Sequence, residues 1–150
     1  MTLSATPLTD SMLHAWLPPR PRASHKGDYG HVLVVGGDHG MVGAGRLAGE
    51  AAARTGSGLV SIATRFAHAA VITAARPELM CHGVECARDL RSLLQRASVV
   101  AIGPGLGQSA WARDMLAAVL QTHLPLVVDA DALNLLAQEP TQCDHWILTP

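Results

Sequence analysis

Four short segments hold the residue types from which chemistry could be built, and three of them follow directly on apolar runs. Gly36-Gly-Asp-His-Gly-Met-Val-Gly-Ala-Gly45 has glycines at 36, 37, 40, 43 and 45, which let backbone approach a ligand closely. Gly103-Pro-Gly-Leu-Gly107 is a second such turn, and its amides, ahead of a helix, would form an anion-binding concavity. Val127-Val-Asp-Ala-Asp-Ala-Leu-Asn134 places Asp129 and Asp131 two residues apart at the end of an apolar run. Such a pair can hold a ribose, a hydrated Mg²⁺ or an ammonium-like group. Asp131 is also placed to cap the following helix, which leaves Asp129 as the stronger candidate for ligand contact. Ser24-His-Lys-Gly-Asp-Tyr-Gly30 sets the single lysine, Lys26, in a polar turn whose default reading is a solvated loop.

Each segment also has a plain alternative. The glycines could serve close helix–sheet packing, and the 103–107 turn could be sharp without binding anything. The GxGxxA match from Gly43 to Ala48 falls inside a predicted helix, so it is not the dinucleotide fingerprint. A second match runs from Gly105 to Ala110, with Asp129 24 residues after Gly105, as in a Rossmann dehydrogenase. Alone it is a weak signal. The eight histidines form no metal-ligand spacing, and Cys81-His82 and Cys143-Asp-His145 supply too few ligands for zinc. No serine sits in a GxSxG elbow.

The elements that must carry these segments follow from the periodicity. His31 to Gly36 is a nearly continuous apolar run, as in a parallel strand covered on both faces. Further strands are predicted at 58–64, 79–84, 98–103, 125–129 and 145–149. Helices are predicted at 9–17, 41–55, 67–75, 86–95, 109–120 and 131–138, with Gly56 as a left-handed stop after the second. Strands alternating with helices imply an α/β fold: a doubly wound, mostly parallel sheet with helices on both faces. Residues 1–24, punctuated by Pro7, Pro18, Pro19 and Pro21, read as a leader or interdomain linker, and 25–150 as the folded part. The final Leu148-Thr149-Pro150 stands where a strand should hand over to a loop and helix, so the domain is expected to be truncated.

Composition sets the bounds. At 150 residues the chain has the length of one domain, and 49% hydrophobic with 3% aromatic residues means a core of Ala, Val, Leu and Ile. Eleven Lys+Arg against 12 Asp+Glu exclude a nucleic-acid binder working through bulk charge. There is no apolar run of the roughly 18 residues a membrane helix needs, and residues 1–24, without an apolar h-region, are not expected to be a secretory signal. Three cysteines without CxxC spacing suit a reduced, cytoplasmic protein. A half-sheet would leave apolar faces and a strand edge uncovered, which predicts a homo-oligomer.

Taken jointly, several segments resemble one family. They are His25 to Ala44 (HKGDYGHVLVVGGDHGMVGA), Ala52 to Val60 (AARTGSGLV), Ala75 to Met80 (ARPELM), Ala101 to Gln108 (AIGPGLGQ), Val127 to Leu136 (VVDADALNLL) and Ile147 to Pro150 (ILTP). Their order and spacing resemble the ADP-dependent NAD(P)H-hydrate dehydratases, ribokinase-like proteins often fused behind an NAD(P)H-hydrate epimerase domain. The resemblance implies dehydration of NADHX and NADPHX to NADH and NADPH, with ADP or ATP as co-substrate and Mg²⁺ present. It also implies that Ala44, Gly103, Gly105 and Gly107 line the hydrate site, with Asp129 and Asn134 beside it. The leader through Arg22 resembles the linker behind the epimerase domain. The family pattern goes on to a histidine-containing HPGE, a lysine-glycine nucleotide segment and a GxGD turn with the catalytic aspartate, none of which this chain carries. No catalytic residue is therefore expected within it, and the chain alone is expected to be inactive. The rival readings are a ribokinase-like kinase of a small vitamin or sugar, a Rossmann oxidoreductase, and a non-catalytic binding module.

Overall fold

The computed structural model describes residues 5–141 and 143–150. Its strands are β1 (His31–Val35), β2 (Leu59–Thr64), β3 (Met80–Gly83), β4 (Val99–Ile102), β5 (Leu126–Asp129) and β6 (Trp146–Thr149). They form one six-stranded sheet in the order β3-β2-β1-β4-β5-β6, parallel throughout. The helices are α1 (Asp10–Trp16), α2 (Val42–Arg54), α3 (Phe66–Ala75), α4 (Ala87–Leu94), α5 (Ala110–Leu120) and α6 (Ala130–Gln138). Among the described residues no helix is long and apolar enough to cross a membrane.

The central strands are apolar on both faces because helices cover both. Val34, Val60 and Ile62 pack with Ile72 of α3, Leu79 and the small residues of α2. On the other face Leu33, Val35, Val100, Ile102 and Val128 meet Leu90, Trp111, Met115, Val119 and Leu135 from α4, α5 and α6. Crossovers in such a sheet put successive helices on one face until the strand order reverses. That reversal lies between β1 and β4, whose carboxyl ends open the crevice where ligands of this architecture bind.

Local signals explain the helix limits. Ser109 caps α5, its hydroxyl accepting the Ala112 N–H at 3.3 Å, and Trp111, Met115 and Val119 follow at the helical repeat, all buried. Gly56, just beyond the end of α2, has φ +115°, the left-handed stop its position predicted. The expected cap of α6 is corrected. The cap position belongs to Asp129, with extended φ −128° and ψ 159°, while Asp131 lies inside the first turn. The predicted solvated loop at 24–30 contains a single 3₁₀ turn, Lys26–Tyr29, and Lys26 is exposed. In the leader, α1 buries none of its residues, although Arg20 donates to the Gly56 carbonyl and stacks on the Tyr29 ring 3.8 Å from its centroid.

Candidate functional site

The two glycine turns meet at the β1/β4 reversal. Gly37 donates its N–H to the Pro104 carbonyl at 3.0 Å, and Asp38 donates to the Gly105 carbonyl at 2.7 Å. Two loops 60-odd residues apart in sequence are thus laced by backbone bonds at the mouth of the crevice. Gly105 has φ +59°, and a Cβ built on it would lie 2.8 Å from the Met41 Cβ and 2.9 Å from the Ala44 Cβ. Glycine at 105 therefore has an intramolecular reason: it lets the 103–107 turn lie flat on the start of α2. Ala44 itself is half-buried beneath that turn. On the other side, a Cβ on Gly103 would run into the Asp129 carbonyl, so β5 abuts the same turn.

The turn is not a free cradle of amides. Gly103 N–H donates to the Val35 carbonyl at 3.2 Å, Leu106 N–H to the Gly103 carbonyl at 2.9 Å, and Gly107 N–H to Asp131 Oδ2 at 2.8 Å. Three of its donors are satisfied within the chain, which narrows the anion concavity expected from the sequence. Asp129 accepts the Thr149 hydroxyl on Oδ1 at 2.7 Å, a bond from β5 to β6. Asn134 is exposed on α6. Ala130, between the two aspartates, has φ +45°, a left-handed conformation without glycine. Strained backbone of this kind gathers at ligand-binding loops.

A buried polar network borders the turns, and the sequence reading missed it. Asp38 is 6% exposed. Its Oδ1 accepts from Arg65 Nε at 2.7 Å and the His39 N–H at 2.8 Å, and its Oδ2 accepts the Ser109 hydroxyl at 2.9 Å. Arg65 Nη1 reaches Glu85 at 2.9 Å, and its guanidinium lies over the Trp111 ring, 4.5 Å from the centroid. Trp111 Nε1 donates to the Val84 carbonyl at 2.8 Å. Burial pushes the Asp38 carboxyl up, but Arg65, the His39 amide and the Ser109 hydroxyl outweigh it and hold the group below the usual carboxylate range. Glu85 is also lowered, first by the Phe66 N–H and then, against slight desolvation, by Arg65. Nearby, His68 Nδ1 bonds the Gly37 carbonyl at 2.9 Å, and the His39 and His68 rings meet edge to face at 5.4 Å. The signal was present in the sequence as three charged residues, Asp38, Arg65 and Glu85, each within three residues of a strand's carboxyl end.

A parallel sheet of reversed strand order with paired glycine turns at the reversal defines a doubly wound α/β protein with its ligand crevice at that point. The chain belongs to the NAD(P)H-hydrate dehydratase family, whose profile matches residues 32–150. A bifunctional NAD(P)H-hydrate repair enzyme of Coxiella burnetii is 58% identical over 148 residues, covering 95% of this chain and 30% of that protein. A ribokinase-like superfamily protein of Enterococcus faecalis superposes with a TM-score of 0.84 at 30% identity, over 95% of this chain and 52% of the other. The ADP/ATP-dependent NAD(P)H-hydrate dehydratase of Bacillus subtilis, co-crystallised with ATP and Mg²⁺, gives 0.76 at 31% identity, over 95% and 51%. The chain thus spans about half the length of these solved structures. The family match does not favour the kinase or Rossmann oxidoreductase readings.

Proposed function

We propose that this chain supplies the hydrate-binding wall of an ADP-dependent NAD(P)H-hydrate dehydratase, a lyase returning NADHX and NADPHX to NADH and NADPH. The observation carrying the reading is the lacing of the Gly36–Ala44 and Gly103–Gly107 segments at the strand-order reversal of a chain in that family. Ala44, Gly103, Gly105 and Gly107 are the surface against which the hydrated ring would lie, with Asp129 and Asn134 at its border.

In the whole reaction a phosphoryl group moves from ADP or ATP to the ring hydroxyl, whose proton leaves. The ring nitrogen's electron pair then expels phosphate, and loss of a ring proton restores the dihydropyridine. Phosphorylation converts a poor leaving group into a good one, and the protein's part is positioning and charge stabilisation. In this chain the rigid glycine turns hold the ring and keep water from its face. The co-crystallisation of the Bacillus subtilis dehydratase with ATP and Mg²⁺ supports use of that ion. Among the described residues no three His, Cys, Asp or Glu side chains come together, so it would be held mainly by the nucleotide's phosphates and water. No step in this chain is assigned to a metal. The word bifunctional in the name of the Coxiella relative is in keeping with a second, epimerase domain. The exposed Ile147 and Leu148 of β6 support a homo-oligomer, and the free cysteines Cys81, Cys86 and Cys143 support a cytoplasmic location.

Calorimetry of purified hydrate with the 150-residue chain tests the reading. Binding without recovery of NADH absorbance from hydrate and ADP is the expected result. Turnover by the chain alone, or no hydrate binding by the folded chain, would overturn it.

A further inference from the structure

Asp38 ties together the segments that follow three strands and reaches that of a fourth through Arg65. It sits in the turn after β1, Arg65 follows β2, Ser109 opens α5 after β4, and Glu85, gripped by Arg65, follows β3. Its own N–H is bonded to Gly105. A buried ion pair is a poor device for stability alone, because apolar residues of similar volume serve as well or better. What it supplies is direction: each bond fixes one loop relative to another. The loops it fixes are the two glycine turns, and a displacement of about 1 Å in a positioning element can cost on the order of a hundredfold in rate.

We propose that Asp38, oriented by Arg65, is a positioning residue that sets the Gly103–Gly107 turn against Met41 and Ala44 and so shapes the face receiving the hydrated ring. The inference rests on the hydrate-binding reading above. Asp38 does not touch the reacting atoms; it acts through Gly105 and Ser109. The His39 and His68 rings lie beside the same turn, His68 bonded to the Gly37 carbonyl, and His39 joins the Asp38–Arg65 pair through its backbone N–H alone.

The test uses the whole protein that carries this chain. Asp38→Asn should raise the KM for the hydrate at least about tenfold while the KM for ADP stays within about twofold. Ser109→Ala, which removes one of the contacts, should shift the same constant in the same direction by less. Glu50→Gln is the control: Glu50 takes Arg46 Nε at 2.6 Å and Arg76 Nε at 3.0 Å, and neither ion pair involves a residue of the two turns. That variant should lower thermal stability and leave both KM values alone. Amide hydrogen exchange gives a readout independent of turnover, and residues 103–109 should exchange faster in Asp38→Asn while β4 keeps its protection.

An unchanged hydrate KM in folded Asp38→Asn, or a rise equal for hydrate and ADP, would overturn the proposal. If Asp38→Asn does not fold, Ser109→Ala decides, and a wild-type KM there refutes the idea. If the wild-type protein shows no turnover of hydrate, the dehydratase reading fails, and unchanged exchange at 103–109 would separately sink the positioning role.

Discussion

Asp131 Oδ2 accepts the Gly107 N–H at 2.8 Å, so the first turn of α6 holds the far end of the β4–α5 turn. Asp131 is thus a strut between two loops and not the cap its position suggested. Asp131→Ala leaves that amide without its partner and should cost about 1–3 kcal/mol, with weaker hydrate binding. Asp131→Asn keeps an acceptor and should lose much less. Melting curves and calorimetry on the pair check this, and equal losses would mean the carboxylate's charge matters more than its bond.

Gly105 faces Met41 and Ala44 at under 3 Å for any added Cβ, and its φ of +59° is itself costly for other residues. Gly105→Ala should therefore destabilise by at least about 2 kcal/mol. Gly105→Val should also reduce hydrate affinity at least about tenfold, or about 1.4 kcal/mol, by lifting the turn off α2. A normal melting temperature for either variant would show that α2 can yield at this point.

Ala130 stores backbone strain at φ +45°. Ala130→Gly should leave stability unchanged or raise it by up to about 1 kcal/mol, strain relief being offset by greater freedom in the unfolded chain. A β-branched side chain is far less tolerant there, and Ala130→Val should cost at least about 2 kcal/mol. Denaturant titration measures both; a stabilising Val would contradict the assigned conformation.

His31, in β1, shares a hydrogen bond with Ser61 at 2.8 Å, and Ser61 lies 3.5 Å from His82 on β3. Burial lowers the affinity of both imidazoles for protons, and the charge of Arg96 lowers it further. For His31 a bond to the Arg96 backbone opposes this without overcoming it. Unfolding restores the ordinary value of 6.5, so the unfolded chain binds more protons as pH falls below it. Stability should be full above that pH and decline beneath it. His31→Gln keeps a hydrogen-bonding group without titrating, and should flatten the decline between pH 7 and 5 in thermal melts. An identical slope in the variant would place the titration elsewhere.

The alternation of apolar runs and helical segments was legible because the central strands are buried on both faces, as Val34 and Val100 illustrate. The glycine turns were legible for the same reason: they interrupt those runs abruptly. What periodicity could not show was pairing across the sheet. That Asp38 would find Arg65 and Ser109, or Asp131 would find Gly107, depends on strand order, which single-residue patterns do not encode. The cap of α6 was misplaced by two residues because Asp129 and Asp131 are equally suited by type, and only the fold assigns one to the cap position and the other to Gly107.

Placing β1 at the centre of the sheet has a consequence for biosynthesis. Its first neighbour, β2, follows within a short stretch, but its other edge waits for β4: Val32 pairs with Val99, 67 residues later in the chain. At roughly 5–20 residues per second, a ribosome needs on the order of 3–13 s to deliver that partner. During that interval one row of β1 amides and carbonyls stands open beside the apolar side chains of Leu33 and Val35. The nascent chain therefore passes through a stage when another strand could occupy the place of β4, and chaperone demand should be greatest there.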